Sequence, residues 1–99
     1  MSKRKLAKDR HDEVLDVALS LSVSVGYLRV TRDAIAKQVG LTPQAIQHHI
    51  GTMAKLRRAI MRKALADECL PVIAQGLANR DEHALKAPAD LIERAREWL

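Results

Sequence analysis

The sequence predicts an all-α fold, and three observations carry that expectation. Apolar residues recur at helical spacing along nearly the whole chain, and no run alternates convincingly with period two. Glycine and proline are sparse, at 4 and 3 of 99 residues, so long helices are permitted. Most of those that do occur stand where helices would start or stop. A chain of 99 residues with 47% apolar and 29% charged residues is an ordinary single globular domain with a modest core.

The first helix is marked by Val14, Ala18, Leu21 and Val25, an apolar stripe with Leu15 and Ser22 beside it. Gly26 ends it. Ser22-Val-Ser-Val25 alternates like a strand, but it prolongs the stripe and is too short to pair alone, so it is read as helix. Thr31 is the expected N-cap of a second helix, with Asp33 in the first turn favoured by the dipole and Ile35, Ala36 and Val39 facing inward. Gly40 stops that helix in a left-handed conformation. Thr42 then caps a third helix, whose first residue, Pro43, needs no donor and already has a helical φ. Two helices separated by so short a Gly-Leu-Thr turn have the punctuation of a helix-turn-helix.

On the third helix Ile46 and Ile50 are placed to pack inward, with the small Ala45 near the first two helices. Gln44, Gln47 and His48 share the opposite face. A glutamine amide can bond bidentately to adenine N6 and N7 in the major groove, so this face has the chemistry of a base reader. Gly51 and Thr52 end the third helix and cap a fourth, which runs to about Asp67 with Met53, Leu56, Ile60 and Ala64 inside. Lys55, in its first turn, is close enough to the reader to reach a phosphate. Arg58 and Arg62 lie farther along and are expected to be solvated or to pair with acidic residues of the second half.

In the final third, Pro71 starts a helix through Val72, Ile73 and Leu77, and Asn79 to Glu82 forms a candidate capping box. Pro88 opens the last helix, on which Leu91, Ile92, Ala95, Trp98 and Leu99 form a broad apolar stripe. Such a stripe either closes the core or meets a second copy. A homodimer interface is the expectation, because tryptophan is enriched at interfaces and helix-turn-helix proteins read paired half-sites.

The net charge of +5 is unevenly spread: residues 1 to 63 hold 13 Lys/Arg against 5 Asp/Glu, and residues 64 to 99 hold 4 against 7. The basic half is suited to a polyanion and the acidic half to solvent or protein. Cys69 is the only cysteine, so an intrachain disulfide is excluded, and its context reads as a small core hydrophobe in a reducing compartment. Neither a membrane-spanning run nor a signal-peptide core is legible, and a cytoplasmic location is expected.

These elements together resemble the N-terminal DNA-binding domain of the TetR family. The resemblance rests on Val14-Leu-Asp-Val-Ala-Leu-Ser-Leu21, Gly26-Tyr27, Thr31 through Thr42, Ile46-Gln-His-His-Ile50 and Lys55-Leu56, and it runs without gaps over about residues 13 to 60. It implies a helix-turn-helix at 32–50 within a DNA-binding domain at 11–66, preceded by a flexible basic arm at 1–10 and followed by a helical dimerisation segment at 67–99. Carried over by position, the DNA contacts are Arg32 at the start of the second helix and Thr42, Pro43, Gln44 and Ala45 at the start of the reader. Gln47 and His48 follow on its exposed face, and Lys55 touches the backbone. The family's reader is rich in aromatic residues; here Gln47 stands where a tyrosine usually meets a phosphate, and His49 takes a half-buried aromatic position. The chain also stops soon after the DNA-binding domain, where family members carry a ligand-binding one.

The expectation is a homodimeric repressor of double-stranded DNA that works by occluding a promoter, without a small-molecule inducer or cofactor, in the manner of plasmid or phage autorepressors. Lys3, Arg4, Lys5, Lys8 and Arg10 would add phosphate or minor-groove contacts, or serve only as a solubilising tail. A helical protein-binding adaptor is the alternative. An enzyme has little support, because His11, His48, His49 and His83 form no metal-ligand spacing with Cys69 or carboxylates and no phosphate loop or nucleophile motif occurs. RNA binding by base stacking is disfavoured, since Tyr27 and Trp98 are the only aromatic residues and neither lies on the reader.

Overall fold

A computed structural model describes residues 7–99, which form seven α-helices and one 3-10 turn joined by short loops. In chain order these are α1 (Ala7–Val25), the 3-10 turn Tyr27–Arg29, α2 (Arg32–Val39), α3 (Pro43–Ile50) and α4 (Met53–Ala66), then α5 (Leu70–Ala78), α6 (Glu82–Leu85) and α7 (Ala89–Arg96). The chain is all-α, as the periodicity predicts. Lys3, Arg4 and Lys5 of the expected arm lie outside the described residues, as does the side chain of Lys8. Arg10, assigned to the same arm, is instead within α1 and donates to Glu13 Oε1 at 2.7 Å, one helical turn on.

α1 packs against α2, α3 and α4, and α5 is surrounded by α1, α4, α6 and α7. A single core cluster joins the two groups: Val14, Ala18, Ile35, Ile46 and Ile60 have no exposed surface, and neither do Val72, Ile73 and Ala84. Each fully buried Val or Ile contributes about 1.5–3 kcal/mol relative to leaving it exposed. The inner row of α1 follows Val14, Ala18 and Ser22, so Val25, expected on that stripe, is 49% exposed. Ser22 can be buried because its hydroxyl donates to Ala18 O at 2.7 Å within the helix.

Two further expectations are corrected in the last third. Asn79 does not open a capping box: it follows the last residue of α5, and Asp81 is the N-cap of α6, its carboxylate accepting from the His83 and Ala84 N–H groups at 2.9 and 3.3 Å. Leu91 and Ala95 are buried in the chain's own core rather than presented to a second copy. α5 is apolar nearly all round, so it needs a covering helix, and α7 supplies it. Ile92 is half-buried, while Trp98 and Leu99 are 59% and 67% exposed.

A polar clasp built on Tyr27 and Gln75 ties the two halves together. Gln75 Nε2 donates to Ser22 O at 2.9 Å, and its Oε1 accepts from the Tyr27 N–H at 2.8 Å. The Tyr27 hydroxyl accepts from Asn79 Nδ2 at 3.0 Å and lies 3.4 Å from Asp81 Oδ2. Burial, reinforced by the nearby Asp81 carboxylate against the opposing Asn79 hydrogen bond, pushes the phenol above its ordinary value of 10.0.

Tyr27 is the only tyrosine, so its ionisation is directly visible by absorbance at alkaline pH. Its midpoint should lie above 10.0 in the folded protein and return to 10.0 on unfolding. A phenol raised on folding contributes stability that is whole below the unfolded value and is lost as pH rises through the folded one. A folded midpoint at or below the unfolded one would contradict the clasp. Gly76 is a second checkpoint, because a Cβ there would lie 2.6 Å from Met61 Cε and 2.8 Å from Ala84 Cβ. Gly76→Ala should destabilise by about 1–3 kcal/mol through overpacking, read as a lower denaturant midpoint.

Candidate nucleic-acid interface

The pairing of α2 and α3 is fixed by local chemistry at each joint. Thr31 Oγ1 accepts from the Ala34 N–H at 3.1 Å, capping α2. Gly40 ends α2 at φ 73, ψ 33, the left-handed region that a Cβ disfavours. Leu41, half-buried against the core, donates its N–H to Ala36 O at 3.0 Å and turns the chain back. Thr42 Oγ1 then accepts from the Ala45 N–H at 3.1 Å, and Pro43 begins α3. Isolated helices of this length are marginal in water, so the caps and core hold them.

α3 has one sealed side and one open side. Ile46 is fully buried, and Ile50, His49 and Ala45 are half-buried. Pro43, Gln44, Gln47 and His48 are exposed, and at about 100° per residue they span one arc of about 140°. Adjacent His48 and His49 diverge, with ring centroids 5.9 Å apart in an edge-on arrangement. Among the described residues, no group of three His, Cys, Asp or Glu could hold a metal ion.

The flanking contacts expected from the resemblance fall at three helix starts. Thr42 is exposed at the head of α3, Arg32 is half-buried as the first residue of α2, and Lys55 is exposed in the first turn of α4. Thr52 Oγ1 caps α4 by accepting from the Lys55 N–H at 3.2 Å. The aliphatic stem of Lys55 crosses over Gly51, where a Cβ would come within 2.9 Å of Lys55 Cδ. Arg32 Nε and Arg57 Nε are buried without an acceptor among the described residues. Arg57 also donates through Nη2 to Leu28 O at 3.3 Å, joining α4 to the 3-10 turn.

Sequence reasoning anticipates the exposed polar face of α3, and it leaves open which of the cations behind it are neutralised. Arg58 and Arg62, expected to be solvated or paired with acidic residues, are exposed and have no ion pair among the described residues. The neighbouring Lys63 is the neutralised one: its Nζ lies 3.0 Å from Asp16 Oδ1 and 3.1 Å from Asp67 Oδ2. Those hydrogen bonds raise its pKa above the ordinary 10.5. The sequence signal for Arg58 and Arg62 is their spacing on one ridge with Lys55. The five residues expected at a dimer surface divide, and Trp98 and Leu99 line a shallow apolar groove with Pro71, Ala74, Gln75 and Ala78. No helix among the described residues is long and apolar enough to cross a membrane.

No family model matches this chain, and no curated protein or solved structure does.

Thr42 couples the turn to α3, and the effect of removing it is measurable without any ligand. Thr42→Ala should lower stability by about 1 kcal/mol in chemical denaturation, with Thr42→Ser restoring most of it. An unchanged midpoint would mean that the cap contributes nothing to holding α3.

Proposed function

We propose that this chain is a sequence-specific double-stranded DNA-binding repressor of the TetR type, acting as a homodimer that occludes a promoter. The observation that carries the reading is the open arc of α3. Pro43, Gln44, Gln47 and His48 stand together in solvent on a helix fixed to α2 by a left-handed glycine turn, within the basic half of the chain. Gln44 and Gln47 each present a donor and an acceptor to a base edge, and His48 presents an imidazole. Thr42 and Lys55 serve the backbone on either side, and Arg32 does so from the start of α2.

In this reading the aromatic residues that the family places on its reader are replaced by amides and imidazoles. Gln47 therefore meets DNA as a hydrogen-bonding group, without a ring to stack or pack. A two-fold pair of such readers would recognise a palindrome, each copy taking one half-site.

Selection of bound duplexes from a random pool tests both parts of the proposal. A palindrome with half-sites about one helical turn apart, or slightly more, is the expected product. A single unpaired half-site would remove the homodimer, and the absence of any salt-dependent duplex shift would remove the DNA reading in favour of a protein adaptor. Gln44→Ala should weaken binding by about 1–3 kcal/mol and relax preference at one base pair. An unchanged specificity profile would take Gln44 out of the reader.

A further inference from the structure

The reader ends at Ile50, and a groove between α1 and α4 begins there. Its floor is apolar, formed by Leu15, Ile50 and Ala59, and its α4 rim carries Lys55, Arg58 and Arg62. His11 stands on the α1 side, with Nδ1 3.8 Å from Asp12 Oδ1. Lys63 also reaches the groove but is held by Asp16 and Asp67. Three exposed cations without a carboxylate partner among the described residues therefore form one ridge.

We infer that this ridge is a phosphate track, on which Arg58 and Arg62 continue the contact made by Lys55 and hold DNA backbone beyond the bases read by α3. The inference rests on the DNA-binding reading of α3. Residues at i, i+3 and i+7 stay on one face of a helix, and seven steps at about 1.5 Å per residue cover about 10 Å. That length corresponds to about three nucleotides of one strand along the duplex axis. Guanidinium groups bond phosphate oxygens bidentately, which suits Arg58 and Arg62 to the backbone rather than to base edges.

Two features favour DNA as the occupant. The groove is continuous with the reader, since Ile50 belongs to both and Lys55 stands at their junction. The carboxylates packed beside it, Asp16 and Asp67, are already engaged by Lys63, so the ridge keeps its positive charge for an external anion. Phosphate contacts give affinity without sequence information, so the track would lengthen the footprint without altering the recognised bases.

The test is the salt dependence of binding to a mixed-sequence duplex of about 40 base pairs, measured by fluorescence anisotropy for the full chain. Removing one phosphate-binding side chain should flatten the slope of log affinity against log salt by about 0.9, so Arg58→Ala with Arg62→Ala should flatten it by about 1.8. Arg96→Ala, on the exposed side of α7, is the control and should leave the slope unchanged. Circular dichroism verifies that the variants stay folded. A salt-dependent wild type whose slope is the same in the double variant overturns the track and leaves the reader standing. A wild type with no salt-dependent binding overturns both. An equal flattening by Arg96→Ala would also overturn the track, because the effect would then be one of net charge alone.

Discussion

The arrangement of the whole chain depends on the side-chain amide of Gln75. α1 ends at Val25, and the 3-10 turn begins two residues later, so the Tyr27 N–H has no regular helical partner, while Ser22 O already accepts from the Gly26 N–H at 2.9 Å. Gln75 meets both, donating to Ser22 O and accepting from the Tyr27 N–H, at 2.9 and 2.8 Å. This is a helix cap supplied from α5, across about half the chain. It holds the direction in which the chain leaves α1, and thereby the approach to α2 and α3. Asn79, one turn further along α5, holds the Tyr27 hydroxyl, and Asp81 adds a carboxylate beside it. The basic half and the acidic half are joined by polar contacts as well as by the shared apolar core.

The pairing of α2 and α3 across a short turn is legible in the sequence because its determinants are local. Thr31, Gly40, Thr42 and Thr52 each act on a backbone group within about one turn, so residue type and spacing are sufficient to place them. Features that depend on distant partners are not legible. A glutamine in the middle of α5 carries no mark of the two backbone groups it will meet, and Asn79 resembles a cap in sequence although Tyr27 occupies its amide in the fold. The register of α1 escapes sequence reasoning for a related cause. Hydrophobicity favours Val25 as the inward residue over Ser22, but the Ser22 hydroxyl is satisfied by its own helix and can be buried at little cost.

α7 shows a different limit. An apolar stripe states that a surface must be covered, and does not state by what. Leu91 and Ala95 are covered by the same chain because α5 is too apolar to stand alone, whereas Trp98 and Leu99 follow α7 and stay at the surface. Charge behaves likewise. The excess of positive charge in the first half is plain from counting, but which cations are neutralised is not. Lys63 lies between two carboxylates brought to it by α1 and by its own helix, while Arg58 and Arg62, on the same helix, meet none among the described residues. The sum gives the excess of positive charge, and the pairing determines which side chains carry it without a carboxylate among the described residues.

α3 is too short to be stable by its own propensity, so its existence rests on Thr42, Pro43 and the burial of Ile46. None of these lies on the segment of the arc formed by Gln44, Gln47 and His48. Holding the helix and presenting Gln44, Gln47 and His48 are therefore assigned to different residues in and just before the same eight-residue element. The exposed glutamines set what the surface can bond without setting how the surface is held. The sealed side of α3 fixes the geometry, and the open side is free to vary in its chemistry.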